Sequence, residues 1–165
     1  MKLAYYEQLV RMMFQPDGAG GIQERYHETD VRQMNPLVLA YVGDAYFHLF
    51  VRTRLLSYEQ ARVGILQQFS GKIVSAVWQH KAYLGIKDML TEEERAIYRR
   101  ARNAKSHAPR AASVAEYHSS TGFEALLGSL CLEKKSERLR EIAEASFQVI
   151  SRAMMEEIQK KKAEK

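Results

Sequence analysis

Asn35-Pro36-Leu37-Val38-Leu39-Ala40-Tyr41-Val42-Gly43-Asp44-Ala45-Tyr46-Phe47-His48-Leu49-Phe50-Val51 is the stretch that decides how this chain folds. Of the fifteen residues from Leu37 to Val51, only Asp44 and His48 are strongly polar. A helix that is apolar on every side is a buried helix, and fifteen residues are too few to span a bilayer. Asn35 can cap the helix and Pro36 is tolerated in its first turn. Asp44 is thereby placed inside a core, where an unpaired charge is costly. It needs a partner, a cation or water. Thr121 to Leu132 repeats the pattern, with Glu124 the single carboxylate among Phe123, Ala125, Leu126, Leu127, Leu130 and Leu132. If the two acids meet, they can chelate a hard cation such as magnesium, which takes oxygen ligands and keeps several waters. The plainer alternative pairs Asp44 with His48 one turn along its own helix, or with an arginine.

The rest of the chain supports a helical protein. Its 165 residues suit one domain with a sizeable core, and 46% apolar content is ordinary for a globular protein. The net charge of +5 favours an anionic partner such as nucleic acid. The one cysteine, Cys131, excludes an intrachain disulfide and a multi-cysteine zinc site. It reads as a small core residue and fits a reducing, cytoplasmic setting. The N-terminus lacks the apolar run of a signal peptide, and no segment reaches membrane-spanning length, so no membrane partner is expected.

Met1 to Gln15 has helical apolar spacing, and Pro16-Asp17-Gly18-Ala19-Gly20-Gly21 then breaks it. Residues 1–21 are therefore an extension, a short helix on a hinge. Ile22 to Met34 is polar, a short helix or a lead-in. Tyr58 to Gly85 holds two helical patches with a break predicted at Ser70-Gly71. Thr91-Glu92-Glu93-Glu94 is a capping box that opens a helix running into Arg99-Arg100-Ala101-Arg102-Asn103-Ala104-Lys105. Ser106 to Ser120 offers little to a core and reads as a mobile loop with room for a short helix. Ser136 to about Lys160 is a long amphipathic helix, after which residues 161–165 form a basic, fraying tail. No stretch shows convincing period-two alternation. The expectation is an all-α fold of about seven helices.

The densest basic patch outside the tail is Arg99, Arg100, Arg102 and Lys105. It suits contacts to phosphates, which position a nucleic acid without reading its sequence. It is equally a solvated helix end whose charges offset the C-terminal dipole. The five histidines show no metal-ligand spacing, and no phosphate-binding glycine loop or nucleophile elbow is present. Trp78 and the tyrosines at helical spacing read as core.

Ala40-Tyr41-Val42-Gly43-Asp44-Ala45 resembles the signature helix of the ribonuclease III family, and Thr121-Gly122-Phe123-Glu124-Ala125-Leu126-Leu127-Gly128 resembles its second acidic motif. Arg102-Asn103-Ala104-Lys105-Ser106 and Lys72-Ile73-Val74-Ser75-Ala76 look like the Mini-III subfamily in particular. The resemblance covers roughly Gln33 to Phe147. It implies an all-helical endonuclease domain over residues 22–160 that cuts double-stranded RNA with magnesium, manganese being a substitute. It implies Asp44 and Glu124 as the catalytic, metal-holding pair. Arg102, Asn103, Lys105, Lys72, Ser75 and Arg100 become the RNA-contacting residues. Mini-III enzymes lack the appended double-stranded-RNA-binding domain, for which this chain leaves no room, and mature the ends of 23S ribosomal RNA precursor. The family acts as a homodimer, and Tyr41 matches an aromatic position that plugs into the second subunit. A ribosomal protein or the assembling large subunit is a further partner on this view. Leu37, Ala40 and Thr121 stand where the wider family carries acids. They keep open a non-catalytic alternative, a helical RNA-binding or ribosome-assembly protein on the same fold.

Overall fold

The computed structural model describes residues 2–13, 15–21, 26–104 and 113–164. These fall into two compact units, Met1–Gln33 and Met34–Lys165. In the first, α1 spans Leu3–Met13 and two 3-10 turns cover Tyr26–Glu28 and Val31–Gln33. The Asp17 carboxylate accepts the backbone N–H groups of Ala19 and Gly21 at 2.7 and 2.9 Å. Gly18 and Gly20 adopt the positive φ angles, +82° and +90°, that this hinge needs.

The second unit holds α2 (Pro36–Leu55), α3 (Val63–Ile73), α4 (Ala76–Ile86), α5 (Glu92–Arg102), α6 (Val114–Leu132) and α7 (Ser136–Ala163). With α1 that makes seven α-helices and no strand among the described residues, so the protein is all-α. Asn35 caps α2 by accepting the Leu37 N–H at 2.9 Å, with Pro36 in the first turn. Thr91 and Glu94 form the capping box of α5. The core joins Phe47, Val51 and Leu55 of α2 to Phe123, Leu126, Leu127 and Leu130 of α6. Around them lie Trp78, Ala82 and Ile86 of α4 and Leu139, Ile142 and Ile150 of α7.

Four elements differ from the sequence expectation. The break between α3 and α4 falls at Val74-Ser75 rather than Ser70-Gly71. Ser70 folds its hydroxyl back onto the Gln67 carbonyl at 3.1 Å, and open space surrounds the Gly71 Cβ position, so neither residue interrupts the helix. Helix α6 begins at Val114, inside the expected loop, because Ser113 and Glu116 form a second capping box. Helix α7 continues through the lysines to Ala163, and Lys81 of α4 binds Glu157 at 2.9 Å near its end. Finally, α2 is not buried on every side. Val38, Tyr41 and Leu49 line an exposed apolar stripe opposite its buried face of Leu39, Gly43, Phe47 and Val51.

Candidate active site

The centre of the second unit is the crossing of α2 and α6, which pack more extensively than any other pair of helices. Two glycines permit it. A Cβ on Gly43 would collide with the Glu124 carbonyl, and one on Gly128 would collide with the Leu39 carbonyl. The backbones therefore touch, and Asp44, next to Gly43, is carried to the neighbourhood of Glu124.

The two acids sit in different surroundings. Asp44 lies on the flank of α2, between the buried face and the exposed stripe, and its side chain is 49% exposed. This corrects the expectation of a buried aspartate. His48 Nε2 stands 3.3 Å from Asp44 Oδ1, so the intrahelical pairing is present as well. Glu124 is the deeply placed acid. Burial foremost, and then the neighbouring Asp44 charge, push its carboxyl up to about 8. The Gln79 amide of α4 acts in the opposite direction. Two neighbouring carboxylates, one of them desolvated, with no cationic side chain among the described residues paired to Glu124, suit a divalent cation with hard oxygen ligands. Among the described residues no group of three or more His, Cys, Asp and Glu gathers into a metal site. Among the described residues the two carboxylates are the candidate donors.

A polar chain beside the acids was not foreseen from the sequence. Ser119 of α6 meets His80 Nδ1 of α4 at 2.7 Å and the Tyr98 hydroxyl of α5 at 2.8 Å. The Tyr98 ring stacks on Tyr83 with centroids 3.6 Å apart, and burial pushes its phenol up to about 12. Tyr98 stays neutral and serves as a hydrogen-bonding strut that locks α4, α5 and α6 together. Gly122 lets that ring approach, since a Cβ there would lie 2.6 Å from Tyr98 Cδ2.

The other candidate residues ring this core. Arg100 and Arg102 are exposed in the last turn of α5, and Asn103 is its C-cap. Arg102 is near enough to Tyr98 for its charge to act on the phenol. Arg99 pairs instead with Glu92 at 3.4 Å. Lys105 lies outside the described residues. Lys72 ends α3 with its ammonium 5.9 Å from the Trp78 ring centroid. Ser75 begins α4 without using its hydroxyl as a cap. It stands four residues before Gln79. The polar Gln79 among Trp78, Ala82 and Ile86 was the signal in the sequence for a further residue at the acids.

A ribonuclease III domain matches residues 37–135, the span that carries both acids, the α5 end and the helix crossing. The chain belongs to the ribonuclease III family. It is an endoribonuclease of that type, on the branch of the Mini-ribonuclease 3 proteins. The Mini-ribonuclease 3 of Symbiobacterium thermophilum is 46% identical over 118 residues, covering 71% of this chain and 91% of that protein. That of Thermoanaerobacter sp. is 44% identical over 121 residues, covering 73% and 85%. The Staphylococcus aureus protein of the same name is 35% identical, covering 78% and 98%. A crystal structure of a Fusobacterium nucleatum protein superposes with a TM-score of 0.64 at 33% identity, covering 69% of this chain and 93% of that one. That likeness shows the same helical framework in a solved structure.

Proposed function

We propose that this ribonuclease III family member hydrolyses phosphodiester bonds of double-stranded RNA, with Asp44 and Glu124 as its metal-holding catalytic pair. The observation that carries this reading is the glycine-mediated crossing of α2 and α6, which sets a half-exposed carboxylate beside a buried one. A magnesium ion held by the pair, or manganese in its place, would supply Lewis acidity and an activated water for attack in line with the departing 3′ oxygen. Asp44, at the surface, is the acid an RNA backbone can approach. Glu124, behind it, gains its charged form when a cation offsets the burial and the Asp44 charge. Arg100, Arg102 and Asn103 at the α5 end, Lys72 and Ser75 at the α3–α4 junction, and Lys105, which lies outside the described residues, contact the RNA backbone. Double-stranded RNA is recognised through shape, phosphates and 2′-hydroxyls, and such binding weakens steeply with salt.

The working unit is a homodimer through the exposed face of α2, where Tyr41 is 80% exposed and Val38 and Leu49 extend the stripe. Val63, Ile65 and Phe69 of α3 add further exposed apolar surface to the same molecule. The natural substrate is the precursor of 23S ribosomal RNA in the cytoplasm, presented with a ribosomal protein or on the assembling large subunit. This follows the resemblance to Mini-III enzymes. Among the described residues no helix is long and apolar enough to cross a membrane.

The test incubates the protein with a long double-stranded RNA, with magnesium or with chelator, beside Asp44→Asn and Glu124→Gln. Magnesium-dependent cutting by the wild type, with both variants binding RNA but inactive, is the expected result. Wild-type binding without cutting would replace this reading with the RNA-binding scaffold.

A further inference from the structure

Gln79 is wholly buried, with no exposed surface. Among the described residues, four buried side-chain polar atoms have no hydrogen-bond partner, and both amide atoms of Gln79 are among them. Leaving a primary amide unsatisfied in a core is costly, and such an orphan calls for a functional explanation. Its position supplies one. Gln79 lies in α4 against Glu124, close enough to favour the charged carboxylate, although no pair of atoms reaches hydrogen-bonding geometry.

Three α6 hydroxyls in the turns before Glu124 are committed elsewhere. Ser120 and Thr121 both donate to the Tyr117 carbonyl, and Ser119 is held between His80 and Tyr98. Among the described residues no third His, Cys, Asp or Glu joins Asp44 and Glu124 in a metal-holding group. A magnesium ion held by only two carboxylates keeps most of its water, and those waters need hydrogen-bond acceptors. A neutral amide suits such a place, because one group offers two donors and a carbonyl acceptor.

We propose that Gln79 is a positioning residue of the acid site. Its amide nitrogen orients the Glu124 carboxylate, and its carbonyl oxygen accepts from the hydration shell of a divalent cation. The amide thus replaces, without charge, part of what additional carboxylates would do. This rests on the reading of Asp44 and Glu124 as the metal-holding pair.

The test uses the whole protein without RNA and Mn2+ as the probe. Free Mn2+ is read by electron paramagnetic resonance, and the thermal midpoint is taken with and without the ion. Gln79→Leu should bind Mn2+ about tenfold or more weakly, the usual effect of losing an outer-shell partner. Its metal-free midpoint should not fall, since the substitution removes two unsatisfied polar atoms. Gln79→Glu retains an acceptor and should bind Mn2+ more tightly than Gln79→Leu. In cleavage of double-stranded RNA, Gln79→Leu should lower kcat and leave KM unchanged.

Unaltered Mn2+ affinity in Gln79→Leu would overturn the proposal. So would a fall in metal-free stability that Gln79→Met shares while binding Mn2+ normally, for then the amide is structural. A wild-type protein that binds no Mn2+ would remove the metal reading of Asp44 and Glu124 itself. Wild-type binding matched by Gln79→Leu would remove only the role of Gln79.

Discussion

Glu124 has a carboxyl held up to about 8 by burial and by Asp44, against an ordinary value of 4.5. The folded protein therefore binds a proton there that the unfolded chain releases at lower pH. The associated stability is fully present below about 4.5 and is lost as pH rises towards 8. Metal-free protein should show a falling melting temperature across that window, read by calorimetry, and Glu124→Gln should flatten the slope. Magnesium added at pH 8 should restore part of the loss, because the cation favours the carboxylate. Asp44 and Glu124 were both legible in the sequence as lone acids in apolar runs. Their unequal exposure was not, because it depends on how each helix is rotated against its neighbours. Composition placed Asp44 in a core, whereas a 100° step from Gly43 carries it to the flank of α2.

At the scale of elements, the α2–α6 crossing depends on Gly43 and Gly128. Gly43→Ala or Gly128→Ala forces the backbones apart and should cost about 3 kcal/mol or more, measured by urea denaturation. Activity should fall further than the folded fraction, since the same displacement separates the acids. A second junction ties α5 to α7. Arg138 donates to both Glu94 oxygens at 2.9 Å and to the Met89 carbonyl at 2.8 Å, while Glu94 also accepts the Thr91 N–H of its capping box. Arg138 holds the Glu94 carboxyl below its ordinary value. Arg138→Ala leaves that buried carboxylate unpaired and should destabilise by about 3 kcal/mol. The wild-type contribution of Glu94 should fade as pH falls through its lowered value, so the variant should lose acid sensitivity along with stability. The Thr91 capping box was readable in sequence because it is local. The Ser113–Glu116 box has the same spacing but lies in a stretch with little core-forming content, so apolar periodicity alone does not mark the first turns of α6.

At the scale of the whole molecule, the exposed apolar stripe of Val38, Tyr41 and Leu49 is the surface that the proposed reading assigns to a second copy. Tyr41→Asp should shift the protein from dimer to monomer in light scattering and lower cleavage of long duplexes. A variant that stays dimeric would place the interface elsewhere. The helical class, the start of α2 and the two acidic helices follow from short-range patterns: caps, apolar periodicity and the lone carboxylates set in them. Those features are properties of neighbours along the chain, and the sequence determined them alone. Only the tertiary structure decided that one side of α2 remains uncovered, that Glu124 rather than Asp44 is the buried acid, and that Gln79 arrives unpartnered beside it. Each of these depends on the close approach of helices distant in sequence, at glycines whose missing side chains define how near two backbones can come.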